Sequence, residues 1–370
     1  MQLLAASTVW QTIWAIFLAV FILLAMITIH EFGHYIAGKI FKFKINEFAI
    51  GFGPALFKKH KKNGELFSIR AIPLGGYCAF EGEDKEDKKV DSFNNKKPWQ
   101  RIIVLFAGAF MNYLFAVLLL VIAFCSFGQT KLYVGDIQPA ETAIIQEYSL
   151  QKGDVLLKCG KKNLFMVQDL MSALENKKLG DKVTFTLSRE TNSGREIIQQ
   201  VVQLKRDTNF KNVADVNVLW ESLGIAKTAD GAYLIYSTSY KGYNFFQNIG
   251  NSFLYSFQLA GSVFKVLGQL LTGHLSLTAV GGPITTIKLT SQIASRGIQQ
   301  FLEISAYIGV NLAVFNLLPI PALDGSRILF TLLEWIRKKP LNRKVEAILH
   351  TVGLILLLGF AVLVDILQLF

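Results

Sequence analysis

The chain has 370 residues, of which 52% are hydrophobic, and its mean hydropathy is positive. This composition is typical of a membrane protein and argues against an ordinary soluble domain. Lys and Arg outnumber Asp and Glu by 38 to 27, but the basic residues cluster beside apolar runs, at 58–62 and 336–344. We interpret them as charge at a membrane surface and expect no nucleic-acid partner. Cys78, Cys125 and Cys159 are too widely spaced to indicate a disulfide framework or a cysteine metal site.

Four apolar stretches are long enough to cross a bilayer, which takes about 20 helical residues. They lie at about 10–29, 102–127, 304–320 and 347–369. We expect the first to be a retained span and not a cleaved signal peptide. No Lys or Arg precedes Lys39, and no small-residue cleavage site follows the apolar run.

The charges that flank the spans predict their orientation. Basic residues within 39–44 follow the first span and none precedes it, so the positive-inside rule places the N-terminus outside the cell and the next loop in the cytoplasm. Alternation then places the C-terminus outside and the basic loop 336–346 in the cytoplasm. The stretch 252–271 is interrupted by Lys265, and we expect it to be an amphipathic helix at the outer membrane surface.

Two segments between the spans predict structure outside the bilayer core. The loop 38–98 contains alternating, turn-punctuated stretches typical of β-hairpins, followed by a charged segment, 81–98, that predicts mobility. Residues 130–206 predict strands, one helix and two closing strands, in an order that resembles a PDZ domain. The sequence at 205–250 is polar, aromatic and weakly strand-like, and predicts no definite element.

The predicted fold is a polytopic α-helical membrane protein with about four transmembrane helices, membrane-associated β-hairpins and an extracytoplasmic PDZ-like α+β domain. Its successive parts are the first transmembrane helix (1–37), the cytoplasmic strand loop (38–98), the second transmembrane helix (99–128) and the PDZ-like domain (130–206). They continue with an extracytoplasmic linker that contains the amphipathic helix (207–298), the third transmembrane segment (299–335), the cytoplasmic basic loop (336–346) and the fourth transmembrane helix (347–370).

The first span ends in H-E-x-x-H, formed by His30, Glu31 and His34. Two histidines four residues apart lie on one face of a helix, so both imidazoles can reach one metal ion, and Glu31 can reach a water beside it. The alternative is a pair of core histidines that form hydrogen bonds with neighbouring helices. Because ionisable groups at membrane depth are costly and usually functional, we favour the metal site.

A catalytic zinc usually takes three protein ligands and keeps a fourth position open. Three further histidines lie in charged or loop-like surroundings or far along another span, and we expect them to be solvated: His60, His274 and His350. Asp324 is the better candidate because it lies in an apolar stretch that Pro319 and Pro321 interrupt. The alternative for Asp324 is a helix cap or an ion pair with Arg327.

Several motifs accompany H-E-F-G-H: GFGPALF, SIRAIPLGGY, WQRIIVLFAGAFMNYLFA, GGPI and NLLPIPALDGSRI. Together with the PDZ-like insert they resemble the bacterial site-2 proteases, which are intramembrane zinc metalloproteases. The resemblance runs through most of the chain. It implies that His30, His34 and Asp324 bind Zn²⁺ and that Glu31 is the catalytic acid and base.

The resemblance also implies a substrate class. Asn316, Pro319 and Pro321 would contribute to substrate binding, and the active site would lie near the cytoplasmic side of the cell membrane. The substrates would be single-span membrane proteins, cleaved within or near their transmembrane segments. Anti-sigma-factor-type proteins and signal-peptide remnants are examples. The PDZ-like domain would bind exposed C-termini or sterically bar substrates with large external domains, and the sequence does not choose between these roles.

Two other functions fit parts of the sequence. A membrane metal-binding or transport protein would also place His and Asp in spans but would not need Glu31. A scaffold that presents a PDZ-like module would need none of the metal ligands.

Overall fold

The computed structural model describes residues 2–83, 92–138, 147–210, 215–273, 275 and 281–368. The chain divides into two compact units. The first, which we call the membrane unit, comprises Met1–Ile122, Ser252–Leu270 and Ser276–Phe370; the second, which we call the α+β unit, comprises Ala123–Asn251 and Leu271–Leu275. Residues 84–91, the central part of the segment 81–98 for which the sequence predicts mobility, lie outside the described residues.

The membrane unit is built mainly from helices. They are α1 (Gln2–Ile40), α2 (Pro98–Phe127), α6 (Pro283–Ala294), α7 (Ile298–Asn316), α8 (Asp324–Arg337) and α9 (Arg343–Leu367). Within the described residues, four helices are long and apolar enough to cross a membrane: Thr12–Ile40, Pro98–Phe127, Ile298–Asn316 and Arg343–Leu367. The prediction of four candidate spans is confirmed at this level.

Helix α5 (Phe245–Leu271) covers the stretch predicted to be amphipathic. It is not among the four candidate spans. The hydroxyls of Tyr113 on α2 and Ser256 on α5 share a hydrogen bond of 2.7 Å, which fastens the two helices together within the membrane unit. A position at the outer membrane surface stays a prediction.

The third predicted segment, 299–335, consists of two helices joined by a tight turn. Helix α7 ends at Asn316 and α8 begins at Asp324. Pro321 presets the backbone at the second position of this turn, and Ala322 follows with φ of +82°, as in a type II turn. The interruption that the prolines predicted therefore separates the two helices.

Strands β1 (Ile45–His60) and β2 (Leu66–Phe80) form an antiparallel hairpin that bends back on itself. The stretch Glu47–Ile50 pairs with Gly76–Ala79 on one side and with Leu66–Ile69 on the other. Leu66–Ile69 also pairs with Phe57–His60 and is therefore interior to the hairpin, whereas the end of β2 forms an edge. Buried aromatic side chains of the hairpin, Phe48 and Phe80, pack with Phe43, which precedes β1, against α1 and α2.

The α+β unit contains one antiparallel sheet with strand order β7–β6–β4–β3–β8. Its elements are β3 (Gln129–Val134), β4 (Val155–Cys159), β5 (Lys162–Asn163), α3 (Val167–Ala173), β6 (Lys182–Thr191), β7 (Gly194–Gln203), α4 (Val216–Ser222) and β8 (Ile235–Tyr240). The strands and helix predicted at 130–206 are present. The prediction of a linker from 207 is wrong as far as residue 251, because α4 packs in this unit and β8 pairs with β3 along its whole length.

Two polar clusters fasten the helices of the membrane unit. The carboxylate of Asp365 on α9 accepts the backbone N–H groups of Ile284 and Thr285, and so caps the start of α6. The GGPI motif, 281–284, forms this capped turn, and a Cβ atom at Gly282 would lie 2.5 Å from Cγ of Asp365. Near the end of α8, Glu334 pairs with Arg101 of α2 and Arg343 of α9, at 2.7 Å in each case.

Candidate active site

Three potential ligand atoms from two helices meet at one point. Nε2 of His30 and Nε2 of His34, one turn apart on α1, are 3.1 Å from each other. Oδ2 of Asp324, at the first residue of α8, lies 3.0 Å from the former and 3.3 Å from the latter. The imidazoles are buried, and the structure therefore brings together the three residues that the sequence proposed as ligands.

The opposite ring nitrogens contact polar groups of two other helices. Nδ1 of His34 lies 2.8 Å from the backbone carbonyl oxygen of Val104 on α2. A carbonyl oxygen only accepts, so the proton of the neutral ring sits on Nδ1 and Nε2 presents a lone pair. Nδ1 of His30 lies 3.3 Å from Nδ2 of Asn316, which donates to the ring in this amide orientation. Rotation of the amide by 180° brings its oxygen to the ring, and that orientation fixes the tautomer in which Nε2 presents a lone pair.

The three facing atoms fit a zinc ion. Lone pairs of two imidazoles and a carboxylate oxygen repel one another at these distances unless a cation lies between them. Oδ2 of Asp324 is buried and accepts no hydrogen bond from the described residues. A tetrahedral zinc with bonds of about 2.0–2.1 Å separates its ligand atoms by roughly 3.3 Å, close to the sides of this triangle. His30, His34 and Asp324 would therefore hold the ion.

The alternative roles of Asp324 are not observed. Arg327, the partner that the sequence left open, forms its ion pair with Glu83 instead. The N-cap of α8 is Leu323, and Asp324 is the first helical residue. Its carboxylate is therefore left to face the imidazoles.

Glu31 lies beside the ligand triangle without being part of it. One of its carboxylate oxygens is within 4.8 Å of ring nitrogens of both His30 and His34. Its Oε2 accepts the backbone N–H of Cys78 at 2.9 Å. This N–H belongs to the edge of β2, so the hairpin holds the glutamate next to the imidazoles.

Gly108 allows α2 to approach the two histidines. A Cβ atom at this position would lie 2.4 Å from Nε2 of His34 and 2.8 Å from Cε1 of His30. Any larger residue would therefore push the imidazoles away from their positions.

A cavity of about 290 Å³ opens onto the site. His30, Glu31 and Asp324 line it, together with two asparagines, Asn112 of α2 and Asn316 of α7. Both asparagines lie within reach of a molecule bound next to the catalytic groups. The cavity is large enough to admit water to the ligand triangle.

Pro319 and Pro321 lie in the turn between α7 and α8 and are not among the described residues that line this cavity. Pro321 packs closely against Gly353 of α9. The prolines shape the turn that presents Asp324. Their role in substrate binding, like that of Asn316, stays a prediction.

His350 differs from its prediction as a solvated residue. Its Nδ1 accepts the backbone N–H of Ala322 at 3.1 Å, and its ring lies edge-on to Phe330. It therefore holds the turn that precedes Asp324. His60 is exposed at the end of β1, in agreement with its prediction, and His274 lies outside the described residues.

Five residues of the site were not assigned their roles from the sequence: Cys78, Val104, Asn112, Gly108 and His350. The first two act through the backbone, and a backbone N–H or carbonyl carries no sequence signal. Asn112 did carry one, because it is a polar residue in an apolar helix, four positions after Gly108.

Residues 18–360 match the family model of peptidase family M50. The chain belongs to this family. A relative from Clostridium perfringens is 35% identical over 344 residues, which cover 92% of this chain and 94% of the relative. A relative from Fusobacterium nucleatum is 32% identical over 357 residues, which cover 94% and 96%. A relative from Nostoc sp. is 30% identical over 361 residues, which cover 93% of each chain. Each of the three is named "putative zinc metalloprotease".

Membership of family M50 agrees with the ligand geometry. This M50 chain is a zinc metalloprotease of the site-2 type, and its four apolar helices make it a multi-pass membrane protein. The transport and scaffold alternatives are set aside, because neither accounts for a metalloprotease family that extends over most of the chain.

Proposed function

We propose that this chain hydrolyses peptide bonds within or near the transmembrane segments of single-span membrane proteins. The observation that carries the proposal is the position of the ligand triangle on the candidate spans themselves. His30 and His34 lie within the span Thr12–Ile40. Asp324 lies directly after the turn that follows the span Ile298–Asn316. A site built into such helices is within reach of a peptide bond at membrane depth.

The side chains of the site divide the chemistry between them. When bound, zinc supplies a water of lowered pKa and polarises the carbonyl that is attacked. Glu31 accepts the proton of the attacking water and delivers it to the departing amine. Because Oε2 of Glu31 is held by the N–H of Cys78, Oε1 is the atom that carries the proton. Asn316 keeps the His30 ring oriented and faces the cavity that receives the substrate.

A helical substrate must unwind before its carbonyl can be attacked, and an extended segment in the membrane needs new backbone partners. The edge of β2 lies next to Glu31 and suits addition of a substrate strand through the backbone groups that Glu31 and Glu83 do not occupy. A strand bonds to its neighbour through alternate residues. N-methylation at successive substrate positions should therefore slow cleavage at every second position, and a uniform response would contradict strand addition.

The proposal includes the orientation predicted by charge. Both termini lie outside the cell, and the catalytic groups lie near the cytoplasmic end of α1, close to Lys39. Reporter fusions at the two termini and near residue 290 should give extracytoplasmic signals. A cytoplasmic signal at any of them would contradict this orientation.

We extend the proposal to regulated intramembrane proteolysis. The strand and helix order of the α+β unit between residues 130 and 206 supports a PDZ-like module, which would bind C-termini exposed by an earlier cleavage. Anti-sigma-factor-type proteins and signal-peptide remnants have the required single span. Peptides with a free C-terminal carboxylate should bind the full chain more tightly than their amidated forms, and equal binding would contradict this role.

The central experiment uses a model single-span substrate reconstituted with the purified chain. Mass spectrometry should place the cleavage site within or near the substrate's transmembrane segment. Glu31→Gln should lower the rate about 10²–10⁴-fold while zinc stays bound, because only proton transfer is lost. Glu175→Gln, at an exposed glutamate of the α+β unit, is the matched control and should cleave at the wild-type rate. Equal rates for wild type and Glu31→Gln would refute the proposal.

A further inference from the structure

Asn112 is a buried polar residue that the mechanism above does not use. Its side chain is 1% exposed within α2. Its Oδ1 is buried and accepts no hydrogen bond from any residue that the structure describes. An unsatisfied buried polar group costs about 1–3 kcal/mol, so its presence in an apolar helix needs a cause.

The position of Asn112 points to the catalytic centre. It lies one turn after Gly108, on the same face of α2, and that face contacts the imidazoles of His30 and His34 at Gly108. Asn112 also lines the cavity onto which Glu31 opens. Its amide is therefore presented to the space in which a substrate would lie.

The other asparagine of the cavity has a different environment. The amide of Asn316 contacts Nδ1 of His30, so part of its hydrogen-bonding capacity orients a metal ligand. For Asn112 a partner of matching chemistry is a peptide group, because a primary amide carries both N–H donors and a carbonyl acceptor. A substrate backbone in the cavity supplies both complementary groups.

We propose that Asn112 is a catalytic residue that donates a hydrogen bond from Nδ2 to the carbonyl oxygen of the scissile peptide bond. This inference rests on the proposed proteolytic function. Negative charge develops on that oxygen when water attacks, and a donor already in place stabilises it without reorganisation. Oδ1 of Asn112 then accepts a backbone N–H of the same extended substrate segment. The amide that lacks a partner in the free protein gains one when substrate binds.

The test compares two asparagines that share one feature and differ in position. Asn311 on α7 also has a buried Oδ1 without a partner among the described residues, but it does not line the described cavity. Asn112→Leu should lower kcat about 10²–10³-fold, as loss of a preorganised donor does in other hydrolases. Zinc content should stay near the wild-type value, and KM should rise by a smaller factor than kcat falls, because the contact from Oδ1 to the substrate is also lost. Asn311→Leu, the matched control, should change none of these quantities.

Thermal stability separates this role from a structural one. Because Leu removes an unsatisfied polar group of similar size, the Tm of Asn112→Leu should equal or exceed that of the wild type. A structural asparagine would give the opposite shift. A lower Tm together with lost zinc, or an unchanged kcat, would overturn the inference.

A second pair of variants keeps the test decisive if the leucine variant does not fold. Ser and Ala are similar in size, but only Ser retains a donor, so Asn112→Ser should keep a kcat about tenfold or more above that of Asn112→Ala. Equal kcat values would overturn the inference. If the wild type cleaves no faster than Glu31→Gln, the proposed function itself has failed. If the wild type cleaves and all Asn112 variants match it, only the role of Asn112 has failed.

Discussion

At the residue scale, Gly325 follows the third zinc ligand directly and lies where α8 meets the end of α7. A Cβ atom here would be 2.3 Å from the carbonyl oxygens of Leu317 and Leu318, which are backbone atoms and cannot rotate away. We expect Gly325→Ala to shift the start of α8 and to move Asp324 away from the imidazoles. Zinc content should fall, and cleavage should slow about 10²-fold, as for a misplacement of about 1 Å.

The control for this substitution is Gly359→Ala on α9, where no neighbouring atom lies within 4 Å of the added Cβ. Zinc analysis and cleavage rates should be unchanged in this variant. An intact zinc site in Gly325→Ala would show that the close packing of α8 against the end of α7 is not needed to position Asp324.

The ligands could be predicted from the sequence because helical spacing places His30 and His34 on one face and because Asp324 is isolated in apolar sequence. The groups that orient them could not be predicted. Val104 and Cys78 contribute backbone atoms, whose positions depend on how α2 and β2 pack against α1. His350 reaches the turn before Asp324 only because α9 packs beside it.

At the scale of elements, Glu334 joins three helices through two arginines. Arg101 is 4% exposed, and Glu334 is its only ion-pair partner among the described residues. Glu334→Leu should leave Arg101 buried without a counter-charge and lower the free energy of unfolding by about 3–5 kcal/mol. The double variant with Arg101→Met should recover most of this loss. Denaturant titration measures both changes.

The matched control is Glu221→Leu in the α+β unit. Glu221 also lies between two cations, Arg206 and Lys227, but this cluster is largely exposed. Its loss should cost less than about 1 kcal/mol. Similar losses in the two glutamate variants would contradict the role of burial.

The hairpin of β1 and β2 contains a pH-sensitive contact at Glu65. Burial alone would raise the pKa of this carboxyl, but hydrogen bonds from Lys39, Lys61 and Asn63 lower it to about 2. Because the pKa is depressed in the folded state, its stabilisation is complete above the unfolded value of about 4.5 and is lost as pH falls toward 2. The stabilisation is on the order of 3 kcal/mol at most.

Thermal denaturation of the wild type and Glu65→Gln at several pH values tests this contact. The Tm difference should be largest at neutral pH and should shrink as the medium is acidified below about pH 4.5. A difference that does not change with pH would show that the contact is not ionic.

Apolar helices were predicted well because hydropathy over about 20 residues depends only on local sequence. Strand pairing was predicted less well. The bend that makes Leu66–Ile69 an interior segment depends on contacts with Glu47–Ile50, about 20 residues earlier. Strand β8 has weak local signals, and its partner β3 lies about a hundred residues before it in the chain.

At the scale of the whole molecule, the catalytic residues and the α+β unit belong to different compact units. Gln129 and Tyr240 are register partners in the sheet, so the chain enters and leaves the α+β unit through neighbouring strand ends. A short Gly-Ser linker could therefore replace residues 130–239. The shortened chain should keep its zinc and cleave the model substrate.

The same deletion tests the steric role that the sequence leaves open for the PDZ-like domain. If the α+β unit bars substrates with large external domains, the shortened chain should cleave such substrates faster than the full chain does. Cleavage assays with a matched pair of substrates, with and without a folded external domain, measure this effect. Unchanged selectivity would argue against steric exclusion, and loss of zinc would show that the membrane unit depends on the insert.

The proposed chemistry requires that two imidazoles and one carboxylate converge on a single zinc. X-ray absorption of the purified chain tests it most directly, because the spectrum reports the type and distance of each ligand. The expected result is one zinc per chain, with only nitrogen and oxygen ligands at about 2.0–2.1 Å and with the scattering of two imidazoles. This spectrum should be lost in Asp324→Asn. A sulfur ligand at about 2.3 Å, or a spectrum unchanged in Asp324→Asn, would contradict it.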